Sequence, residues 1–295
     1  MGKGARKKAP KPDAARKVRD VFVAQPFEGL RAEPELIAMR EFVPSATAPL
    51  PLADGIEGSV TVGTVLPMAA AAFVRSDGEV FIGLQVQTHS SDVSRDLGRS
   101  LRWALRAEPG DVLSVPDTSV EGSTHYDGGD RLQEMVDADA GLDVTLHDDF
   151  SWWLPEDTEA SGEIAMSLQR ANEAIRPTER LGPGMYWVDA GERAHLRWVR
   201  SEPEGRLLQA MARLSAAGEL DLGEGSRFAG SFRAHGLLVP VWDLDNEAHA
   251  REWAEPAAQL GNRLEEALRS LDDEPLSSME RRARDGLVGR QLTVR

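Results

Sequence analysis

Apolar positions follow two rhythms along this chain, a helical one and an alternating one, and the changes between them mark out its elements. Across residues 32–42, Leu36, Ile37, Met39 and Phe42 share a helical face. Glu33 and Glu35 come early, where the helix dipole favours acid, so a short helix is predicted to end before Pro44. A proline-spaced link, 44–54, leads to strand-like runs at 59–66, 69–75 and 79–88. Ser76, Asp77 and Gly78 form a tight turn between the last two, the strongest local structural signal in the chain. Residues 91–106 then read as an amphipathic helix, with Val93, Leu97, Leu101 and Leu105 on one stripe beside Trp103 and Ala104, ended by Pro109 and Gly110. A short strand is predicted at 112–115. The run 116–129, rich in Ser, Thr, Asp and Gly and without periodicity, reads as a domain boundary or a mobile loop.

Beyond it the pattern predicts a short helix at 130–138, strands at 143–146 and 150–154, and a helix at 163–175 that stops before Pro177. Two strands followed by a helix then occur twice. Strands 185–188 and 195–200 precede helix 204–217, closed by Gly218; strands 227–234 and 237–244, joined through His235 and Gly236, precede helix 247–271, with Pro256 at a kink or break. Ser277 and Glu280 are spaced as a capping box for a short Arg-rich helix, and 289–294 reads as a last strand. The fold expected is α+β: antiparallel sheets with helices on one face, built from hairpin-then-helix units whose recurrence suggests duplication. Four parts follow: a tail (1–20), an N-terminal α+β domain (21–115), the linker or loop (116–129) and a C-terminal α+β domain (130–295).

Composition narrows the chemistry. With 295 residues, 41% of them hydrophobic, the chain can fill a sizeable core. It has no cysteine, which excludes disulfides, thiolate metal sites and cysteine nucleophiles and fits a reducing cytoplasm. No apolar run approaches the ~20 residues of a membrane helix; the smoothest, 65–74, is interrupted by Pro67. Pro10, Lys11, Pro12, Asp13 and Arg16 stand where a signal peptide would turn apolar. A cytoplasmic protein without membrane contact or cofactor is therefore expected.

Charge is distributed unevenly. Lys3, Arg6, Lys7, Lys8, Lys11, Arg16, Lys17 and Arg19 face Asp13 alone in residues 1–19, a net of +7; the whole chain carries −15, which leaves −22 for the rest. A segment with so little to bury is expected to be disordered by itself, and fully extended it would reach roughly 60 Å at about 3.3 Å per residue. These eight cations are the candidate nucleic-acid-binding residues, because a tail opposite in sign to its body suits a tether to phosphate. The acidic body argues against a nucleic-acid groove across its own sheet and is expected to meet a protein partner instead.

Catalytic signatures are not found. There is no P-loop, and the glycines from Gly223 to Gly230 precede a strand, where no helix N-terminus is available for a pyrophosphate. No Gly-x-Ser-x-Gly occurs, and Ser231 near His235 lacks a third, orienting group. His125, Asp127 and Asp130 share one loop and His147, Asp148 and Asp149 a second, yet neither has a metal-ligand spacing; solvated acidic loops are the plainer reading. Trp152, Trp153, Trp187, Trp198 and Trp242 are assigned to strands, and Trp103 and Trp253 to helices. Adjacent Trp152 and Trp153 would point to opposite faces of a strand, leaving one less buried than the other. With Arg233 and His235 they make the candidate protein-binding surface. His195, Arg197 and Arg200 around Trp198, like Arg227 and Arg233, read as solvent-facing strand residues.

The strings Pro26-Phe27-Glu28-Gly29-Leu30, Val43-Pro44-Ser45-Ala46-Thr47-Ala48, Ser94-Arg95-Asp96-Leu97, Gly230-Ser231-Phe232-Arg233-Ala234-His235-Gly236, Val239-Pro240-Val241-Trp242-Asp243 and Arg281-Arg282-Ala283-Arg284-Asp285-Gly286-Leu287 resemble an uncharacterised actinobacterial family, a domain of unknown function. The likeness runs from about Val21 to the end. Some members carry a SecA-like, cysteine-containing zinc motif before the shared body. This chain has Lys and Arg there, so the resemblance implies no zinc site and an exchangeable N-terminal attachment segment. The first functional expectation is a non-enzymatic adaptor tethered by its tail to RNA, above all the ribosome. The second is a chaperone-like peptide-binding module with the tail incidental. The third is an enzyme using the His125 or His147 loop.

Overall fold

The computed structural model describes residues 22–116, 130–156 and 158–290. They form an α+β protein with two mostly antiparallel sheets. The first sheet has the order β5-β3-β4-β2-β1-β6, from β1 (Ala46–Pro49), β2 (Thr61–Gly63), β3 (Ala72–Val74), β4 (Val80–Gly83), β5 (Val112–Leu113) and β6 (Thr145–Leu146). Its one parallel pair is β2 with β4. The hairpin expected at Ser76-Asp77-Gly78 joins β3 to β4, with Gly78 at φ 93°, and α2 (Val93–Ala104) follows, capped by the Asp92 side chain on the Arg95 amide.

The second sheet is antiparallel throughout, in the order β10-β11-β9-β8-β7, from β7 (Thr178–Gly182), β8 (Met185–Asp189), β9 (Ala194–Trp198), β10 (Ser226–Ala234) and β11 (Leu237–Leu244). Alternation along its strands supplies two cores. Met185, Trp187, Leu196, Trp198, Leu238 and Trp242 pack against α4 (Glu204–Ala217), α5 (Ala254–Ser270) and α6 (Ser278–Val288). Tyr186, Val199, Ala234, Leu237 and Val239 face the other way, into a core shared with α1 (Glu33–Glu41), β1, β2, β4 and α2.

Several elements depart from the pattern-based expectation. The proline-spaced link contains β1, a strand inside the first sheet, whose buried Ala46 and Ala48 are too small to give a strong hydrophobic signal. The polar edge strand β7 escaped notice for a similar reason. Residues 150–154 are not a strand: the Asp149 carboxylate accepts the Ser151 amide at 2.8 Å and starts a 3-10 turn, Ser151–Trp153. The 130–138 helix shrinks to a single 3-10 turn, Leu132–Glu134, followed by a bridge from Val136 to Leu52. The long helix near 247 resolves into a 3-10 turn, Ala250–Trp253, and α5, with Pro256 in the first turn of α5, where a missing N–H costs nothing. Ser277 and Glu280 do form the capping box of α6. Gly289 and Arg290 end α6 as a turn, and the rest of the expected last strand lies outside the described residues.

One buried carboxylate joins the two sheets. Glu35, projecting from α1, accepts from Arg180 Nε at 3.0 Å and Nη2 at 2.6 Å, from the Gly184 amide at 3.0 Å, and from the Tyr186 hydroxyl. Burial, reinforced by the neighbouring Glu35, pushes the Tyr186 phenol well above the usual tyrosine range, so it stays a donor. Gly184 has φ 64°, and a Cβ there would lie 2.8 Å from the Val199 carbonyl oxygen and 2.9 Å from Pro34 Cβ; the β7–β8 turn meets α1 only because this residue has no side chain.

Glu35→Ala should destabilise the chain by about 3 kcal/mol, since it strands a half-buried guanidinium and a buried amide and hydroxyl, whereas Tyr186→Phe should cost about 1–2 kcal/mol; urea unfolding of both variants checks the order. In α2, a Cβ on Gly98 would sit 2.1 Å from the Asp130 carbonyl oxygen. Gly98→Ala is therefore expected to lower stability by roughly 1–3 kcal/mol through overpacking, against the usual helix-propensity gain, which thermal unfolding would detect as a lower Tm.

Candidate functional site

The C-terminal end of α1 meets two other segments and forms a cleft. From the first sheet, Gln85 follows β4 and donates its Nε2 to the carbonyls of Met39 at 2.8 Å and Val43 at 3.0 Å, which satisfies groups the helix end leaves open. From the second sheet comes the two-residue turn His235–Gly236 between β10 and β11. Both residues have positive φ, 46° and 85°, the arrangement of a type I′ hairpin turn. A Cβ on Gly236 would lie 2.9 Å from Gln25 Cβ, so glycine lets the incoming chain press against the turn.

These contacts hold His235 over the helix end. Its Nε2 lies 2.8 Å from Glu41 Oε1 and 3.2 Å from Arg40 Nε, while Arg40 Nη1 donates to the Leu84 carbonyl. The bond to His235 holds the Glu41 carboxyl below the usual carboxylate range, so at neutral pH Glu41 is an acceptor and Nε2 must carry the proton it receives. Arg40 then faces an N–H, and its compensation comes from the carboxylate and from Leu84. Burial depresses the Arg40 guanidinium, with Glu41 and Asp96 opposing the shift.

Two cavities open on either side of Glu41. One, about 410 Å³, is lined by Arg40, Glu41, Val65, Ala69, Gln85, Val86, Gln87 and His89. The other, about 360 Å³, shares Glu41 and Gln85 and adds Phe42, Val43, Pro44, Ala174, Arg176, Val188, Asp189, Ala190 and Arg197. His89 donates Nδ1 to the Ser90 carbonyl at 2.8 Å, which reserves its Nε2 for the cleft. At the rim Met68 and Ala69 are both left-handed, φ 58° and 52°, an uncommon state for two successive non-glycine residues, and Met68 is 87% exposed. The lining offers charge, amide and imidazole groups for binding. Among the described residues its lining has no hydroxyl, thiol or amine side chain.

The residues singled out from the sequence fall in different places. The cationic tail, Lys3 to Arg19, lies outside the described residues, as do His125 and Asp127. Trp153 is buried with its Nε1 donating to the Val65 carbonyl at 3.0 Å, and Trp152 is half-buried among Phe81, Phe150 and His147, donating to Ser45 Oγ at 2.9 Å. These rings therefore build a core; the 3-10 turn, not strand alternation, sets their unequal burial. Arg233 forks onto Glu204 at the start of α4, with contacts of 2.7 and 2.6 Å, while His235 two residues later serves the cleft. His147 lies 2.8 Å from Thr47 Oγ1, Asp149 caps its own turn, and Asp130 pairs with Arg102. Among the described residues no group of three His, Asp or Glu side chains is placed to hold a metal ion.

Arg200 corrects the expectation of a solvent-facing strand residue: it is buried, paired with Glu202 and Glu265, and stacked 4.3 Å over the Trp198 ring. Reading the sequence missed Arg40, Glu41, Gln85 and His89. The available signal was Gln85, a polar residue closing an otherwise apolar strand pattern.

Architecture and site together define an α+β protein with a polar cleft where two sheets meet. The chain belongs to a family of unknown function, DUF5926, whose model matches residues 26–295. Neither the curated proteins nor the solved structures contain a match. Among the described residues no helix is long and apolar enough to cross a membrane.

Burial holds the His147 and His195 imidazoles below their ordinary value of 6.5. The folded chain thus binds fewer protons than the unfolded one near that pH, and stability rises with pH. Stability should be complete above pH 6.5 and fall as pH drops from 6.5 through the lower folded-state values; His147→Gln should flatten the slope, measured by urea unfolding between pH 7.5 and 5.5.

Proposed function

We propose that this protein is a non-enzymatic adaptor of the cytoplasm, tethered to RNA, most plausibly the ribosome, by its N-terminal cations, with its acidic body presenting the cleft at Glu41 to a second partner. The observation that carries this reading is the charge partition, +7 in residues 1–19 against −22 in the remainder of a chain whose total is −15. Lys3, Arg6, Lys7, Lys8, Lys11, Arg16, Lys17 and Arg19 supply cations for phosphate, and the acidic body repels it. The cleft supports a binding role because imidazole, guanidinium and amide groups converge in its lining. A second reading, a peptide-binding module of chaperone type, draws on Met68, an exposed apolar post held in a left-handed backbone beside the cleft.

Co-sedimentation with ribosomes from the native host, using the full chain and a variant lacking residues 1–19, tests the tether. If about six charges meet phosphates, binding should fall roughly a thousandfold between ~50 and ~200 mM salt and vanish with the tail. Binding that survives tail deletion, or none in either form, sinks the tether and leaves the peptide-binding reading.

A further inference from the structure

Among the described residues, several partly or fully buried guanidinium groups at and beside the second sheet are matched by acceptors. Arg180 is held by Glu35, Arg200 by Glu202 and Glu265, and Arg40 by Glu41 and the Leu84 carbonyl. Arg197 departs from this rule. It sits on β9 between Tyr186 and Val241, on the face of the second sheet turned toward α1, and its guanidinium lies 5.6 Å over the Phe42 ring. Among the described residues no carboxylate or carbonyl accepts from its guanidinium, and its charge helps to lower the pKa of the nearby His195 imidazole. Burial alone depresses its pKa.

The group is not sealed in, since it lines the 360 Å³ cavity beside Glu41. Arg176, exposed and likewise without an acceptor among the described residues, lines the same cavity from the connection between α3 (Gly162–Glu173) and β7. Both carboxylates of the lining are already engaged: Glu41 by His235, and Asp189 by the Gly191 amide at 2.7 Å. Two guanidinium groups that find no partner in these carboxylates therefore line one cavity. A partly desolvated guanidinium without an acceptor is costly, and an oxyanion is the group that removes the cost. Pro44, Val188 and Ala190 add apolar groups to a wall that is otherwise largely polar, and the volume is that of a small-molecule site.

We propose that this cavity is a binding site for a small molecule carrying an oxyanion, carboxylate or phosphate, on an apolar body, with the oxyanion clamped between Arg197 and Arg176 and the body against Pro44 and Val188. The site is independent of the N-terminal tether, and deleting residues 1–19 leaves it intact.

Isothermal titration of the full chain at low salt with benzoate, phenyl phosphate, inorganic phosphate and uncharged benzamide tests the site. Binding of one equivalent of benzoate or phenyl phosphate, with benzamide inert, is expected, and the tighter of the two names the oxyanion. Arg197→Gln should weaken that binding about tenfold or more, the effect of losing a charge-assisted hydrogen bond, and Arg176→Gln, at an exposed position that folding does not depend on, should weaken it less. Arg197→Met should leave the thermal stability of the unliganded chain unchanged or raised, whereas Arg200→Met should lower it. The proposal is overturned if no anion binds, if both glutamine variants bind like the parent, or if Arg197→Met is destabilised as much as Arg200→Met. Inorganic phosphate binding as tightly as phenyl phosphate would equally reject the apolar half of the site.

Discussion

The arrangement of this protein depends on a buried carboxylate. Glu35 leaves the first turn of α1 and takes four donors from a single hairpin of the second sheet, two from Arg180, one from the Gly184 backbone and one from Tyr186. Such a group is costly to desolvate and is tolerated only when every lone pair is used, so the geometry around it is narrowly specified. Gly184 supplies the matching steric condition, because any side chain would hold hairpin and helix apart.

Anchored in this way, α1 engages the second sheet at both ends. Near its start the buried Glu33 accepts both of its contacts from Gln25, at 3.0 and 3.1 Å, and burial raises its carboxyl above the usual range. Gln25 in turn presses on the glycine of the β10–β11 turn. At the other end Arg40 and Glu41 receive His235 from the same turn. A nine-residue helix thus touches two hairpins of one sheet while its apolar side fills the core of the other. The cleft is a consequence: where α1 stops, the two sheets diverge and polar side chains line the gap.

Charge is treated differently inside and outside this frame. In the interior Glu35 is matched by Arg180 and Arg200 by Glu202 and Glu265, Glu33 is held by Gln25 instead, and the half-buried Arg197 faces a cavity. By sequence the first nineteen residues carry +7 and the remainder of the chain −22.

Local pattern determined much of this protein. The 3.6-residue rhythm of Leu36, Ile37 and Met39, the stripe of Val93, Leu97 and Leu101, the Ser277–Glu280 capping box and the paired strands flanking His235–Gly236 all read correctly, because each is specified by residues within a few positions of one another. Family membership was legible in its short strings. Tertiary structure decided the rest. Small Ala46 and Ala48 form an internal strand because neighbours exist on both sides of them, and the Trp152–Trp153 pair turns because Asp149 captures an amide. The cleft depends on Arg40, Gln85 and His235, which lie on three segments far apart in the chain. No local spacing encodes that meeting: a helix end, a strand end and a turn come together only after Glu35 has locked one sheet against the other.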